Sequence, residues 1–396
     1  MKILVINCGS SSLKYQLIDS DSENVLAKGI CERIKLDGTL THQKTGGAKL
    51  TMEADMPDHS AAVKLVLDML TDSEQGAIAS LDEIDAIGHR VVHGGEKFAK
   101  SAVITDEVLS VIEECNDLAP LHNPANLIGI RACMELMQGV PQVAVFDTAF
   151  HQTMPDYAYT YGIPYEYYEK YKIRRYGFHG TSHSFVSKRT AELLGKPLSE
   201  TKIIVCHLGG GASICAVEGG KSIDTTMGLT PLEGITMGTR SGNIDPAIIE
   251  FIAAKENKSI TEIMSMLNKS SGVYGISGVS SDFRDLNKGI AEGNKRCDIA
   301  MKVFCYQAAK FIGGYAAAMN GVDAIAFTAG VGENDPVVRK LTCERLSYLG
   351  INIDDEANSI RGEEVRISTD ASPIKVFVVP TNEELAIARE TVSLVK

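Results

Sequence analysis

The stretch ILVINCGSSSLKYQLID, residues 3–19, joins two apolar, strand-like runs through a glycine and three consecutive serines. A hairpin usually turns on Asn-Gly or Asp-Gly, so the hydroxyls at positions 10–12 need another explanation. Backbone N–H groups and small hydroxyls can surround phosphate oxygens without steric obstruction. We therefore expect a hairpin that either turns tightly for steric reasons alone or binds phosphate, with Lys14 supplying charge and Asn7 a neutral oxygen for a metal or its water shell.

The same plan occurs a second time. IVCHLGGGASICAV, residues 204–217, repeats the apolar run, the turn of small residues and the alternating second run. Further along, IDAIGHRVVHGGE at 84–96 is echoed by VDAIAFTAGVGEN at 322–334. Chance similarity between two βα units is one explanation. Both motifs occur in the same order in each half of the chain. This order favours a duplicated α/β domain, one copy in each half, with a ligand cleft between the copies.

The length of 396 residues exceeds the size at which one hydrophobic core stops growing, which predicts two domains. Strand-type and helix-type runs alternate, as is typical of an α/β protein. A helix is expected over 299–319. The expected buried strands are 84–92, 142–146, 202–208, 323–328 and 374–379.

Composition excludes some classes of protein. The formal net charge of -12 counts against nonspecific nucleic-acid binding, and no apolar run reaches the roughly 18 residues of a membrane span. Nine scattered cysteines without a Cys-x-x-Cys pair fit free thiols in a reducing cytoplasm. Tyrosines between 157 and 176 alternate with Lys and Arg. Base stacking is one explanation, but in an acidic chain a packed inter-domain or subunit surface is the better one.

The second turn strengthens the phosphate interpretation. HLGGGAS, residues 207–213, is a second small-residue turn, and two such hairpins facing each other could bracket a polyphosphate. In FTAGVGEN, residues 327–334, a strand runs into glycines, where a base and ribose could lie against bare backbone. The sequence thus predicts a nucleotide site assembled from both halves.

Ten ordered motifs carry a family resemblance over essentially the whole chain, residues 7–385. They are NCGSSSLKY, GHRVVHGGEKF, LAPLHNP, VAVFDTAFH, RRYGFHGTSH, HLGGGAS, MGLTPLEGITMGTRSG, SDFRD, AGVGEN and TNEEL. In this order the chain resembles the acetate kinases, in the superfamily of acetate and sugar kinases, heat-shock proteins and actin. The resemblance implies an α/β fold of duplicated actin-like (ribonuclease H-like) domains with a central nucleotide cleft. The expected domains are 1–150 plus 384–396, and 151–383, the latter carrying the nucleotide site and the dimer interface.

The activity that the resemblance implies is reversible, Mg²⁺-dependent phosphoryl transfer from ATP to acetate, giving acetyl phosphate and ADP by direct in-line attack. Mn²⁺ is an alternative metal. A propionate or butyrate kinase is the nearest rival, and an actin-like or chaperone-like ATPase switch is the rival of another class. The expected partners are ATP or ADP and acetate or acetyl phosphate, with no nucleic acid and no membrane, in a cytoplasmic homodimer.

Phosphoryl transfer needs cations around the transferred group, and Arg90 and Arg240 each lie beside a glycine-containing segment at a strand or loop end. Each also matches an arginine that the family places in the active site. Asp147 follows the apolar run VAVF, so it could orient substrate or assist the metal at a strand end. The resemblance makes His179 a transition-state hydrogen-bond donor and His122 a second donor.

The acetate pocket is likewise implied by the resemblance, with Arg90 reading the carboxylate. Its apolar walls would be Val92, Leu121, Phe178 and Pro231. Val92 leaves room for a methyl group, whereas a smaller residue would favour propionate. One methylene is worth only about 1–3 kcal/mol, so selectivity should be partial.

For the nucleotide, the resemblance adds a set of contacts spread over both turns and two later motifs: Ser12, Lys14, His207, Leu208, Gly209, Gly210, Gly211, Asp282, Phe283, Arg284, Gly330, Val331, Gly332 and Asn334. The turn departs from the usual family pattern HLGNG, because Gly210 stands where acetate kinases have asparagine. One side-chain contact to the phosphates is therefore in doubt.

Two neighbouring acids have different explanations. Thr381 and Glu384 have the spacing of a helix capping box, which accounts for Glu384. Glu383 has no such account, and the resemblance makes it a carboxylate of the magnesium site, directly or through water, with Asn7 nearby. The metal ligands expected are therefore Asn7 and Glu383.

Overall fold

The computed structural model describes residues 1–120 and 122–396. The strands are β1 Lys2–Cys8, β2 Ser12–Asp19, β3 Val25–Glu32, β4 Thr39–Lys44, β5 Leu50–Glu53, β6 Ala86–Val91, β7 Ala102–Val103, β8 Gln142–Phe146, β9 Lys202–Leu208, β10 Ala212–Glu218, β11 Lys221–Thr225, β12 Ala324–Thr328, β13 Val365–Arg366 and β14 Lys375–Val378.

The helices follow the same chain order. They are α1 His59–Leu70, α2 Asp106–Glu114, α3 Asn123–Leu136, α4 Asp156–Tyr159, α5 Glu166–Tyr171, α6 Gly180–Leu194, α7 Ala247–Glu256, α8 Ile260–Lys269, α9 Gly272–Ser277, α10 Phe283–Ala291, α11 Lys295–Ala318, α12 Ala329–Asn334, α13 Pro336–Glu344, α14 Asp355–Asn358 and α15 Glu383–Val395.

The chain forms two compact units. The N unit comprises Met1–Gln152 together with Asn382–Lys396, and the C unit comprises Thr153–Thr381. Each unit contains one mixed sheet. Which functions belong to which domain stays a prediction.

The sheet of the N unit has the strand order β5-β4-β3-β2-β1-β6-β8-β7. Strands β1 to β3 form an antiparallel meander, and β6 and β8 continue the sheet in parallel with β1. The short strand β7 closes the edge antiparallel to β8.

The sheet of the C unit repeats this plan in the order β11-β10-β9-β12-β14-β13. Its meander is β9 to β11, its parallel strands are β12 and β14, and β13 closes the edge antiparallel to β14. The duplicated α/β fold that the internal repeat predicts is therefore confirmed.

Alternation along the strands decides which side chains face α15, the helix that packs on β1, β6 and β8 of the N unit. Ile3 and Val5 share a core cluster with Ile387 of α15, while Leu4 belongs to the cluster on the opposite face. The approach is close at Gly88, where an added Cβ would lie 2.7 Å from Ile387 Cγ2. Odd-numbered residues of β1 therefore face α15.

The expected buried strands are all present as β6, β8, β9, β12 and β14, and the helix expected over 299–319 is α11. The expected capping box is wrong. Asn382 caps α15 by accepting a hydrogen bond from the Leu385 N–H at 3.0 Å. The Thr381 hydroxyl lies one residue too early and instead contacts Ser182 Oγ at 2.8 Å.

Two further features concern the helices and the cysteines. Among the described residues, no helix combines the length and the apolarity needed to cross a lipid bilayer. All nine cysteines are buried free thiols.

Candidate active site

The first hairpin turn is fixed by hydrogen bonds to the backbone of Gly9. Register pairs Cys8 with Leu13, so residues 9–12 form the turn, and the Gly9 N–H donates to the Ser12 carbonyl at 2.8 Å. His59, the first residue of α1, donates from Nε2 to the Gly9 carbonyl at 2.7 Å. Ser12 is half-buried, and the serines at 10 and 11 are exposed. These contacts fix the turn and leave the two serine side chains open to solvent.

A charged cluster lies at the carboxyl ends of the parallel strands in the N unit. Asn7 and Lys14 are directly paired across β1 and β2, on the face that α15 covers. Arg90 of β6 and Asp147, the residue after β8, follow the same alternation. Glu383 is the first residue of α15. Strand alternation thus places four predicted residues on the face of the sheet that also carries Glu383: Asn7, Lys14, Arg90 and Asp147.

Arg90 is neutralised within this cluster. Its Nη2 donates to Asp147 Oδ2 at 3.0 Å, and its Nε lies 3.8 Å from Glu383 Oε2. Burial alone would lower the pKa of Arg90, but the charges of Asp147 and Glu383 outweigh burial and raise that pKa. Arg90 is therefore a fixed cation whose charge is balanced by two carboxylates.

For Glu383, in contrast, burial dominates the pKa. Burial raises the pKa of the Glu383 carboxyl well above its usual range, against the opposing charges of Arg90 and Lys14, and the carboxylates of Asp147 and Glu384 add to the rise. A second cation beside Glu383 would favour its ionised form. The cluster thus offers a carboxylate that a metal ion would stabilise.

Sequence reasoning missed a buried amide that joins two of these strand ends. Asn126 of α3 donates from Nδ2 to the Cys8 carbonyl at 2.8 Å and accepts the Val92 N–H at 3.1 Å. Val92 is buried. His122 immediately precedes α3, and its carbonyl accepts the Asn126 N–H at 2.9 Å. Leu121, which the sequence assigns to the acetate pocket, lies outside the described residues.

The second hairpin turn lies against two predicted catalytic residues. Register pairs Leu208 with Ala212, so residues 209–211 form the turn, and the Gly210 carbonyl accepts the Gly238 N–H at 3.1 Å. A Cβ added to Gly211 would lie 3.2 Å from Arg240 Nη1 and 3.7 Å from His179 Nε2. A side chain at position 211 would therefore crowd the Arg240 guanidinium, whereas its contact with His179 would be an ordinary one.

Histidines form a stack behind this turn. The His179 and His207 rings are stacked, with centroids 4.0 Å apart and planes 20° apart. Ser213 Oγ lies 2.9 Å from His179 Nδ1 and 2.7 Å from His183 Nε2. His179 itself has a left-handed backbone, with φ of 57°, at the start of α6. The stack and the serine fix the orientation of the His179 ring.

Arg240 differs sharply from Arg90. Its Nη1 donates to the Pro231 carbonyl at 3.2 Å, and within the described residues it has no carboxylate at ion-pair distance. Burial lowers its pKa. The loop that carries Pro231 reaches the segment before His179, because the Gly228 carbonyl accepts the Gly177 N–H at 3.2 Å. Phe178, which lies between Gly177 and His179 in the sequence, is buried. Arg240 is therefore a partly buried cation without a protein counter-charge in the part of the chain described.

The remaining nucleotide candidates are in different environments. Asp282 caps α10 and pairs with the exposed Arg284, while the Phe283 ring is buried against Phe304 with centroids 4.7 Å apart. Only the backbone of Phe283 is open to a ligand role. The residues from Gly330 to Asn334, with Val331 and Gly332 between, belong to α12 directly after β12.

In residues 1–120 and 122–396, no group of three or more His, Cys, Asp or Glu side chains could hold an ion by itself. Mg²⁺ is usually bound by one or two carboxylates, with water and substrate phosphates completing its shell. The oxygen donors of Asn7 and Glu383 fit that pattern.

Comparison with known proteins gives one consistent result. The chain matches the acetokinase family over residues 2–389. It is 67% identical over 396 residues to the acetate kinase of Agathobacter rectalis and 63% identical over 395 residues to that of Lachnoclostridium phytofermentans, with 100% of each chain covered.

Solved structures agree. The acetate kinase of Porphyromonas gingivalis is 48% identical and superimposes with a TM-score of 0.97 over 100% of both chains. A propionate kinase from Francisella tularensis is 44% identical, with a TM-score of 0.92 over 99% of each chain. The full-length match, in sequence and in fold, means that this chain belongs to the acetokinase family.

Proposed function

We propose that this chain performs the acetate kinase reaction by direct transfer, with an acetate oxygen attacking the γ-phosphorus of ATP. The bond from that phosphorus to the β,γ-bridging oxygen breaks, and its electron pair stays on ADP. Acetate kinase, a phosphotransferase, is the activity that full-length identities of 58–67% to curated relatives support. The single observation that carries the mechanism is Arg240, a partly buried cation beside Gly211 and His179 that lacks a carboxylate partner among the described residues.

Arg240 and His179 are the groups that would stabilise charge on the transferred phosphoryl group. A cation already held in place has no reorganisation to undergo when charge develops, which is how electrostatic catalysis works. His179 is oriented through Ser213 and the His207 ring, so its Nε2, on the side of Gly211, can donate a hydrogen bond. His122 is proposed as a second donor, by family resemblance alone.

Arg90 is proposed to bind the acetate carboxylate and the phosphoryl group from the N unit. Asp147 would hold its guanidinium through the 3.0 Å hydrogen bond, so that the remaining N–H groups point to substrate. By family resemblance alone, Val92, Leu121, Phe178 and Pro231 are the residues proposed to contact the methyl group of acetate.

The nucleotide is proposed to lie along both small-residue turns, with its base and ribose against α12 in the C unit. Lys14 and Ser12 would contact phosphate from the first turn. From the second, the contacts would come from the backbone of residues 207–211. Asp282 and Arg284 are the proposed contacts at the start of α10.

Asn7 and Glu383 are the residues that would hold Mg²⁺ or Mn²⁺. The oxygen-only donor set supports this proposal. Bound there together with the nucleotide, the ion would neutralise charge on the phosphate oxygens.

One assay tests the activity and its acceptor together. Acyl phosphate formed from Mg-ATP is trapped with hydroxylamine while acetate, propionate and butyrate are varied at matched concentrations. We expect acetate-dependent product with the highest kcat/KM, and weaker product from propionate. Product that forms only with butyrate, or no product with acetate, would contradict the proposal.

The surface of α7 supports a homodimer. None of its residues is buried, although its sequence is AIIEFIAAKE, and Phe251 is 65% exposed. Exposed apolar surface of this kind marks interaction sites. We expect light scattering to give the molar mass of a dimer for the unmodified chain. The substitution Phe251→Glu should shift the mass toward that of a monomer. The nine free thiols support a reducing, cytoplasmic location.

A further inference from the structure

The turn that begins the proposed nucleotide segment has an unusual backbone. Strand β12 ends at Thr328, and Ala329 then adopts a left-handed conformation with φ of 64°. Residues with a Cβ rarely adopt this conformation because it costs free energy, so surrounding contacts must maintain it. The conformation directs the chain into Gly330 and the rest of α12.

One carboxylate oxygen holds this turn. Glu333 Oε1 accepts the Ala329 N–H at 2.7 Å and lies 3.3 Å from the Thr328 hydroxyl. The same oxygen accepts the Thr381 N–H at 3.1 Å. Among the described residues, no Lys, Arg or His lies at ion-pair distance from the Glu333 carboxylate, and Arg339 Nη1 donates to the Glu333 backbone carbonyl at 2.9 Å. The negative charge of the carboxylate is therefore directed to hydrogen-bond donors, and charge-assisted hydrogen bonds of this kind are the stronger ones.

Thr381 connects Glu333 to the histidine stack. The Thr381 hydroxyl lies 2.8 Å from Ser182 Oγ, which in turn lies 2.8 Å from His207 Nδ1. The His207 ring is stacked on His179. Thr381 is also the last residue of the C unit. The Glu333 carboxylate is thus linked, through Thr381 and Ser182, to His207.

We propose that Glu333 is a positioning residue for the nucleotide. It holds Ala329 in its left-handed conformation and thereby sets the place of the backbone from Gly330 to Asn334, against which the base and ribose lie. The inference rests on the proposed function, because it assumes that this segment binds nucleotide. Glu333 contacts backbone and hydroxyl groups of the protein, so it acts through the turn and not on the reacting atoms.

The experiment compares four variants by calorimetric titration with Mg-ADP in the absence of acetate. They are Glu333→Ala, Glu333→Gln, the double variant Glu333→Ala with Ala329→Gly, and Glu344→Ala. Glu344 is an exposed carboxylate at the end of α13 and serves as the matched control. Thermal unfolding is recorded for each, and the KM for acetate is measured by hydroxylamine trapping.

We expect Glu333→Ala to weaken Mg-ADP binding by about 10-fold or more, because charge-assisted hydrogen bonds are lost, while the KM for acetate stays near that of the unmodified chain. Glu333→Gln keeps an acceptor oxygen and should retain most of the affinity. Glycine adopts positive φ without penalty, so Ala329→Gly should recover a substantial part of the loss in the double variant. A merely structural role would not give this recovery.

The proposal is overturned if Glu333→Ala binds Mg-ADP like Glu344→Ala, or if Ala329→Gly recovers none of the loss. It is also overturned if Glu333→Gln binds as poorly as Glu333→Ala. Should Glu333→Ala not fold, Glu333→Gln with and without Ala329→Gly decides the question by the same recovery. Failure of the unmodified chain to make acetyl phosphate would count against the proposed function, whereas the titrations would still decide the role of Glu333.

Discussion

The hairpins β1–β2 and β9–β10 occupy the same place in their sheets but carry different chemistry. Residues 9–12 separate the paired Cys8 and Leu13, whereas residues 209–211 separate Leu208 and Ala212. At the second pair from the turn, the first hairpin has Asn7 opposite Lys14. The second has His207 opposite Ser213. The two hairpins are therefore equivalent scaffolds that carry different side chains at equivalent positions.

The arginines show the consequence. Arg90 is held between Asp147 and Glu383, while Arg240 has neutral neighbours, Pro231 and Met237. We propose that an arginine whose charge is balanced in this way mainly orients ligands and helps to organise a metal site. An arginine without a carboxylate partner leaves its field available to a ligand anion. We infer that Arg90 presents a balanced charge to a ligand and Arg240 an unbalanced positive one.

The largest expected effect comes from removing each arginine. Arg90→Ala and Arg240→Ala should each lower kcat on the order of 10³ to 10⁵, because each removes a cation from the transferred phosphoryl group. Their stabilities should differ. Arg90→Ala leaves two carboxylates without their cation and should lower the free energy of unfolding by about 1–3 kcal/mol. Arg240→Ala loses no ion pair and should unfold like the unmodified chain.

Steady-state kinetics and thermal unfolding measure both differences, with the exposed Arg33→Ala as control. The comparison breaks if Arg240→Ala retains more than a tenth of the activity. It also breaks if the two variants are equally destabilised, because the environments of the arginines would then not matter.

The next effect concerns the buried strands beside these sites. His89 of β6 lies opposite Ile6, and at the equivalent place in the C unit Phe327 of β12 lies opposite Cys206. Burial lowers the pKa of His89 from 6.5 to about 4, despite its 2.7 Å hydrogen bond with Gln142. Between pH 6.5 and about pH 4, His89 therefore binds a proton in the unfolded chain but not in the folded chain.

Stability from His89 is present above pH 6.5 and is lost as pH falls toward 4, by up to about 3 kcal/mol. His89→Gln cannot titrate, so its free energy of unfolding should fall less steeply over this range. Urea unfolding at several pH values measures the slope for both chains. Equal slopes would mean that His89 is not the acid-sensitive group, and Phe327→Leu in the C unit is the matched control.

A smaller effect distinguishes neighbouring glycines of the second turn. Gly211→Ala would place a Cβ 3.2 Å from Arg240 Nη1, whereas a Cβ at Gly210 meets no atom within 4 Å. A displaced guanidinium can cost about 10²-fold in rate, so Gly211→Ala should be far slower than Gly210→Ala. Comparison of kcat for the two variants checks this. If Gly210→Ala is the slower, Arg240 does not lie against Gly211 in the working enzyme.

The smallest effect concerns the acceptor. Val92 follows β6, and Gly330 follows β12 at the equivalent place of the repeated motif. Val92→Ala removes apolar volume, so it should shift the ratio of kcat/KM toward propionate by about 10-fold, as expected for about one methylene. Parallel assays with acetate and propionate measure the ratio. An unchanged ratio would remove Val92 from the acetate pocket.

The sequence was informative where a local pattern decides position. The strand–turn–strand repeats predict both sheets, and Asp147 could be placed because it directly follows an apolar run. Arg90 could be placed because it lies beside a glycine-containing segment near a strand end. Strand alternation, once known, is enough to put these side chains on one face.

Sequence reasoning failed where a contact is remote or a local rule had a competitor. Asn126 contacts the carbonyl of Cys8, and Glu333 contacts the N–H of Thr381, partners that no short motif contains. Asn382 caps α15 where Thr381 was expected, because the Thr381 hydroxyl has a partner in Ser182. Such contacts follow from tertiary packing, which a pattern along the chain does not specify.

A crystal structure with Mg-ADP, acetate and a planar aluminium fluoride in place of the transferred phosphoryl group tests the central claim most directly. We predict that guanidinium groups of both Arg90 and Arg240 lie within hydrogen-bond distance of the fluoride, with both turns facing the nucleotide phosphates. A structure in which only one of these arginines reaches the fluoride, or in which the turn 209–211 faces away from the phosphates, would contradict the account.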